Sequence, residues 1–166
     1  MAREMERTVQ QSVLDRLIDD APGLGDPTPT WAESVRDLKT SLRRDLEWLL
    51  NTRRTPQAPP AACEEVPRSL YLYGLPDFSA RSRDNPETAA QLARDVERAI
   101  ALFEPRLAAA RVSIVESSDA GERRLHFVIE ALLRLDPTPE RVVFDTVLDV
   151  SRNEFEVQPG GGGGRG

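Results

Sequence analysis

Carboxylates are the only chemically capable side chains this chain holds in quantity: 28 acidic residues against one histidine, His126, and one cysteine, Cys63. A Cys/His metal site and an internal disulfide are therefore both excluded, and any metal would have to be held by carboxylates. There is no glycine-rich phosphate loop, no Gly-x-Ser-x-Gly turn and no His-Glu-x-x-His. His126 falls by alternation on a strand face, where it reads as a satisfied surface or core residue rather than as a base. What remains is a carboxylate pair. Glycoside hydrolysis needs two carboxyls about 5 to 9 Å apart, with pKa values driven in opposite directions. Glu47 beside Trp48 and Glu104 before Pro105-Arg106 are the acids in distinctive settings. A cation two residues on lowers a carboxyl's pKa, the wrong direction for a general acid. Glu104 accordingly reads as an ion-pair or capping residue, with no catalytic group and no cofactor expected.

Two long helices must position these residues. Val35, Leu38, Leu42, Leu46 and Leu49 recur at steps of three and four, one stripe on a helix that starts near Trp31. Thr30 and Glu33 have capping-box spacing. At the far end Asn51 tolerates the left-handed conformation that closes a helix, Arg53 and Arg54 face the negative end of its dipole, and Pro56 blocks continuation. The element reads equally as a packing helix with a solvated basic end. In the second helix Asn85 is the expected N-cap and Pro86 the first helical residue. Ala89, Leu92, Ala93, Val96, Ala99, Ile100 and Phe103 form its stripe, Pro105 stops it, and its small alanines suit it to lie beside the first long helix.

Met5, Val9, Val13 and Leu17, with Leu14 and Ile18, suggest a further amphipathic helix over Met5–Asp19, ended by Pro22, Gly23 and Gly25. From Arg111 the period switches to two: Val112 and Ile114, a hairpin loop at Ser118–Gly121, then Leu125, Phe127, Ile129, Ala131 and Leu133 on one face. The opposite face, His126, Val128, Glu130 and Leu132, is only partly polar, as in a central strand covered on both sides. After a turn at Asp136–Pro139 come Val142, Phe144, Thr146, Leu148 and Val150, and a short last strand Glu154–Val157. The fold class expected is α+β, N-terminal helices packed on a C-terminal, mainly antiparallel sheet. The organisation is an N-terminal helical segment, 1–25, and one domain, 26–158. Within that domain a Pro-rich extended surface connector occupies 55–68, and a disordered glycine-rich tail follows at 159–166.

At 166 residues and 39% hydrophobic the chain suits one compact domain. A net charge of −6 and a pI near 5.0 disfavour nucleic acid or an anionic membrane as main partner. Lys39 is the only lysine among the 22 basic residues. Arginine's planar fork suits fixed ion pairs and protein interfaces, and a GC-rich genome gives the same bias. No apolar run approaches the roughly 18 residues of a membrane span, and Met1–Glu4 opens a polar stretch, so direct membrane insertion is not expected and the cytosol is.

Four words stand in order: Ser12–Asp20; Arg44–Arg53 with its Leu49-Leu50-Asn51-Thr52-Arg53; Tyr73-Gly74-Leu75-Pro76-Asp77-Phe78; and Glu104-Pro105-Arg106. Together they resemble the TssE family, small baseplate subunits of bacterial type VI secretion systems, related to the wedge proteins of contractile-tail phages. The resemblance spans about residues 12 to 157. It implies a structural subunit that is not an enzyme, with wedge partners TssF and TssG, indirect contact with TssK, and sheath proteins TssB and TssC above. Its place would be a cytoplasmic baseplate docked at the inner face of the inner membrane. The interface residues implied are Leu49, Leu50, Asn51, Thr52, Arg53, Glu104, Pro105 and Arg106, to which the last strand adds Glu154, Phe155 and Val157. As an edge, that strand would expose unpaired backbone groups on which a sheath strand could pair; Glu154 and Glu156 could equally keep it inert. The family's lysozyme-like label keeps a peptidoglycan hydrolase open, and an anti-adaptor of bacterial proteolysis with a similar fold keeps a regulatory binding module open.

Overall fold

The computed structural model describes residues 9, 12–17, 30–59, 62–66, 69–78, 86–115, 124–149 and 151–160. They form three helices, α1 (Val13–Leu17), α2 (Trp31–Asn51) and α3 (Pro86–Phe103), and four strands, β1 (Leu107–Val115), β2 (Arg124–Leu133), β3 (Glu140–Asp149) and β4 (Glu154–Pro159). The strands make one antiparallel sheet in the order β1-β2-β3-β4, so the fold is α+β as the change of period implied. The chain divides into two compact units, Met1–Arg44 and Asp45–Gly166, with the division inside α2.

In the first unit the capping box at the start of α2 forms as its spacing requires. Thr30 Oγ1 accepts the Glu33 N–H at 3.3 Å, and Glu33 Oε2 accepts the Thr30 N–H at 2.8 Å. Of the helix expected over Met5–Asp19, the described helical part is α1; Val9 and Ser12 are not helical, and the other residues lie outside the described ones. Ser12 caps α1 through the Asp15 N–H at 3.1 Å, and Arg44 Nη2 reaches Asp15 Oδ1 at 2.6 Å. Burial raises the Asp15 carboxyl's pKa, but the hydrogen bonds from Ser12, Arg44 and Ser41 together outweigh it and leave the pKa lowered. Val13, Leu14 and Leu17 are exposed, so α1 is held by polar contacts and its apolar positions face outward.

In the second unit the core is Leu46, Leu49, Leu50 and Leu75, the α3 stripe Leu92, Ala93, Val96, Ala99 and Ile100, and one sheet face. That face consists of Phe127, Ile129, Ala131, Leu133, Val142, Phe144, Thr146, Leu148, Phe155 and Val157. The alternation read along β2 and β3 is what the pleat demands. β2 is central by pairing on both sides, and its second face is only partly covered: His126, Val128 and Glu130 are half-buried and Leu132 is exposed.

Several expectations are corrected. β1 starts at Leu107, four residues before Arg111, because Leu107-Ala108-Ala109-Ala110 has no alternation to read. Its register shifts between Ala108 and Arg111, where Ala109 sits at φ 53°, a bulge. α3 lies close along β1, a neighbour the sequence did not give it, and Glu97 Oε1 accepts the Val112 N–H at 2.9 Å. β4 runs on to Pro159, and the Gly160 N–H still donates to the Val143 carbonyl at 2.8 Å. The connector is not uniformly extended: Val66 N–H bonds the Cys63 carbonyl at 3.2 Å in a turn, with Cys63 exposed. Asn85, the Ser118–Gly121 loop and residues 161–166 lie outside the described residues.

Candidate functional site

The Leu49–Arg53 word ends α2, and each residue has a separate task. Leu49 and Leu50 are buried. Asn51 does not take the left-handed conformation; it stays helical, and the Thr52 N–H continues the helix to the Trp48 carbonyl at 3.0 Å. The Asn51 side chain instead reaches the sheet. Its Nδ2 donates to the Phe155 carbonyl at 2.9 Å and its Oδ1 accepts the Phe155 N–H at 2.8 Å. A carboxamide offers a donor and an acceptor side by side, as an adjoining strand would.

Arg53 closes the same corner. Nη1 donates to the Leu50 carbonyl at 3.1 Å, a C-terminal orphan of α2, and Nη2 donates to the Asn153 carbonyl at 2.7 Å between β3 and β4. Its guanidinium lies 4.7 Å from the centre of the Phe78 ring, which meets Phe155 edge-on at 6.1 Å. Burial lowers the Arg53 pKa, with Asp77 opposing.

The Tyr73–Phe78 word is tied to this corner through Thr52. The Leu75 N–H donates to the Thr52 carbonyl at 2.9 Å and the Arg54 N–H to the Leu75 carbonyl at 3.0 Å, a short parallel bridge. Gly74, at φ 101°, passes so close that a Cβ there would stand 2.3 Å from the Thr52 oxygen. Only glycine fits. Leu75 is fully buried, as an anchor should be, and Tyr71 and Phe78 are half-buried.

Glu104-Pro105-Arg106 forms the second cluster, at the junction of α3 with β1. Glu104 is 4% exposed and Pro105 is exposed. Glu104 Oε1 accepts from Arg106 Nε at 2.7 Å and from the Arg106 N–H at 3.2 Å, while Oε2 accepts from Nη2 at 2.5 Å. Nη2 also reaches Asp45 Oδ2 at 2.6 Å, so one guanidinium joins α2 to the α3–β1 junction. Nη1 is buried with no hydrogen-bond partner among the described residues. The Glu104 hydrogen bond, despite burial and helped by Asp45, raises the Arg106 pKa far above its ordinary value. Tyr73 stands near enough that burial, then Asp45 and Glu104, raise its phenol pKa.

This geometry is a lock rather than a catalytic pair. Both Glu104 oxygens are taken up by the Arg106 guanidinium, as in a structural ion pair. Glu47 is half-buried and Trp48 exposed on α2, and His126 is half-buried on β2. Among the described residues no group of His, Cys, Asp and Glu could hold a metal ion, and no helix is long and apolar enough to cross a membrane.

The expectation of an open last strand is also corrected at its centre. Phe155 and Val157 are core residues, Asn51 occupies the outward N–H and carbonyl of Phe155, and Arg53 takes the Asn153 carbonyl. Glu154 and Glu156 alone are exposed among its first four residues. Sequence reasoning missed this closure because Asn51 and Phe155 are 104 positions apart.

A search of curated proteins returns no match. Among solved structures, a chain of "The baseplate complex from the type VI secretion system" is similar at 20% identity and a TM-score of 0.46, over 68% of this chain and 94% of that one. Residues 36–138 match the family model described as Baseplate wedge protein gp25, a stretch that holds α2 from Arg36 onward, the Gly74 corner and the whole Asp45–Glu104–Arg106 lock. The chain belongs to the gp25 baseplate wedge family, whose members are structural baseplate components.

Proposed function

We propose that this chain is the TssE-like subunit of a type VI secretion baseplate. It joins TssF and TssG in the wedge, touches TssK indirectly, and gives the TssB–TssC sheath its first sheet to build on. Its working place is the cytoplasmic side of the inner membrane, and it performs no hydrolysis. The observation that carries this reading is the pairing of the family match with two rigid fasteners made from the family's own words. Asn51 and Arg53 tie α2 to the β3–β4 corner, and Arg106 ties Asp45 to Glu104. A subunit that transmits force between a wedge and a contracting sheath needs elements that cannot slide, and charge-assisted hydrogen bonds across elements supply that stiffness. Exposed Pro105 and the rim of Arg106 are the part of the lock offered to a wedge protein.

Co-purification of the full chain with TssF and TssG, and counting of sheaths in cells lacking the gene, test the reading. Wedge recovery and loss of sheaths support it. Muropeptide release from purified peptidoglycan that vanishes in Glu47→Gln or Glu104→Gln overturns it, as does capture of a protease adaptor in place of wedge proteins.

A further inference from the structure

We infer that α1 is an arm with two states, docked and helical or released and unfolded, and that the Asp15 carboxylate decides between them. The inference goes beyond the reading above and does not rest on it, since it concerns the free chain and a helix outside the residues matched by the family model. A helix of five residues has no stability of its own. Nucleation fixes several residues before the first hydrogen bond is gained, and isolated helices shorter than about 12 residues are marginal in water even for the best sequences. Something beyond the helix must hold α1 in shape.

Apolar packing is not what holds it. Val13 is 72% exposed, Leu17 76% and Leu14 46%, so the side chains that would ordinarily anchor a short helix are turned largely to water. The polar side is turned inward instead, and the Asp15 side chain is only 7% exposed. Its two oxygens have separate tasks. Oδ2 accepts the Ser12 hydroxyl at 2.6 Å, while the same Ser12 Oγ accepts the Asp15 N–H at 3.1 Å, which closes the first turn. Oδ1 accepts from Arg44 Nη2 of α2 at 2.6 Å, which ties that turn to the long helix. An ionised carboxylate this far from water is tolerated only when it is paired. Docking and helix formation are therefore one event: without Arg44 the carboxylate cannot stay buried, and without the buried carboxylate the first turn loses its closure. Such an element passes between order and disorder as a unit. Docked, it displays Val13, Leu14 and Leu17 outward in a fixed arrangement; released, it does not, so the latch switches a surface.

Limited proteolysis of the full chain tests this, because Arg16 stands inside α1 and a protease needs an unfolded segment around the bond it cuts. Trypsin cleavage after Arg16 is expected to be roughly tenfold faster or more in Asp15→Asn than in the wild type, with the main thermal transition of the chain retained. Arg44→Ala lies outside the arm, yet it should speed that cleavage and the exchange of the Leu17 amide as much as Asp15→Asn does. Combining the two substitutions should add nothing, since the arm is already released. Equal cleavage after Arg16 in the wild type and in Asp15→Asn overturns the inference. So does loss of the main transition in Asp15→Asn, which would make α1 a part of the core rather than an arm. Slow Leu17 exchange in folded Arg44→Ala overturns it too, because the helix would then stand without its latch. Should Arg44→Ala not fold, cleavage of Asp15→Asn decides alone.

Discussion

Arg53 and Arg106 each follow the end of a long helix, and they are held in opposite ways. Arg106 sits between two carboxylates, with hydrogen bonds to Glu104 and Asp45, and its pKa is raised. Arg53 is held by the Leu50 and Asn153 carbonyls and by the Phe78 ring, and burial lowers its pKa. The first is an ion-pair lock in which each charge keeps the others tolerable away from water. The second is a cation solvated by dipoles. The consequences of removal differ for that reason: taking away Arg106 strands a buried anion, whereas taking away Arg53 strands carbonyls that water can partly satisfy.

Arg106→Ala should therefore be the most damaging change, about 3 kcal/mol, since Glu104 would be left buried without its cation. At roughly 2 to 4 °C per kcal/mol for a chain of this size, thermal melting will register it. Replacing the pair together, Glu104→Gln with Arg106→Leu, should recover part of the loss. A cost below about 1 kcal/mol for Arg106→Ala would mean the lock behaves like an exposed pair. Next comes Asn51→Ala, about 2 kcal/mol, from two unsatisfied backbone groups at Phe155. Asn51→Asp should be worse than alanine, because its second oxygen would face the Phe155 carbonyl. Urea titration of the three chains sets that order, and faster amide exchange at Phe155 locates the damage.

Arg53→Ala is expected to cost about 1 kcal/mol, and Arg53→Lys to recover little of it, since an ammonium cannot reach both carbonyls and lie flat on Phe78. A full recovery by lysine would show that charge alone matters here and would erase the contrast with Arg106.

How legible these features were depended on the distance over which each interaction acts. The capping box of α2 was readable because Thr30 and Glu33 lie three residues apart and bond reciprocally. The alternation in β2 and β3 was readable because burial of one sheet face imposes it. Asn51 misled because local chemistry offered a sufficient role, closing its own helix, while the real partner lay on the last strand. The lock was half legible: Glu104 and Arg106 are two apart and were read as an ion pair, but Asp45, 61 positions from Arg106, was not. The start of β1 was hidden by three alanines and a bulge, a stretch with no period at all.

The smallest expected effect concerns Asp149, where the contrast between the arginines can be extended to pH. Asp149 Oδ1 accepts the Ser151 N–H at 2.8 Å and the Arg152 N–H at 3.1 Å in the β3–β4 turn, the corner that Arg53 also holds through Asn153. Those bonds, that of Arg152 first, favour the carboxylate and lower its pKa below the ordinary 3.8. For a depressed acid, the contribution to stability is fully present above the unfolded value and is lost as pH falls through the folded one. Arg106, whose pKa is raised, behaves in the opposite sense: its contribution is complete below its unfolded value and disappears only in strong alkali. Acid should therefore loosen the Asp149 turn while leaving the Arg106 cation in place. Asp149→Asn should melt slightly below the wild type at neutral pH, and the gap should close as both are acidified below about pH 4. A gap that stays constant across that range would mean the turn is held by its backbone alone, with the carboxylate a bystander.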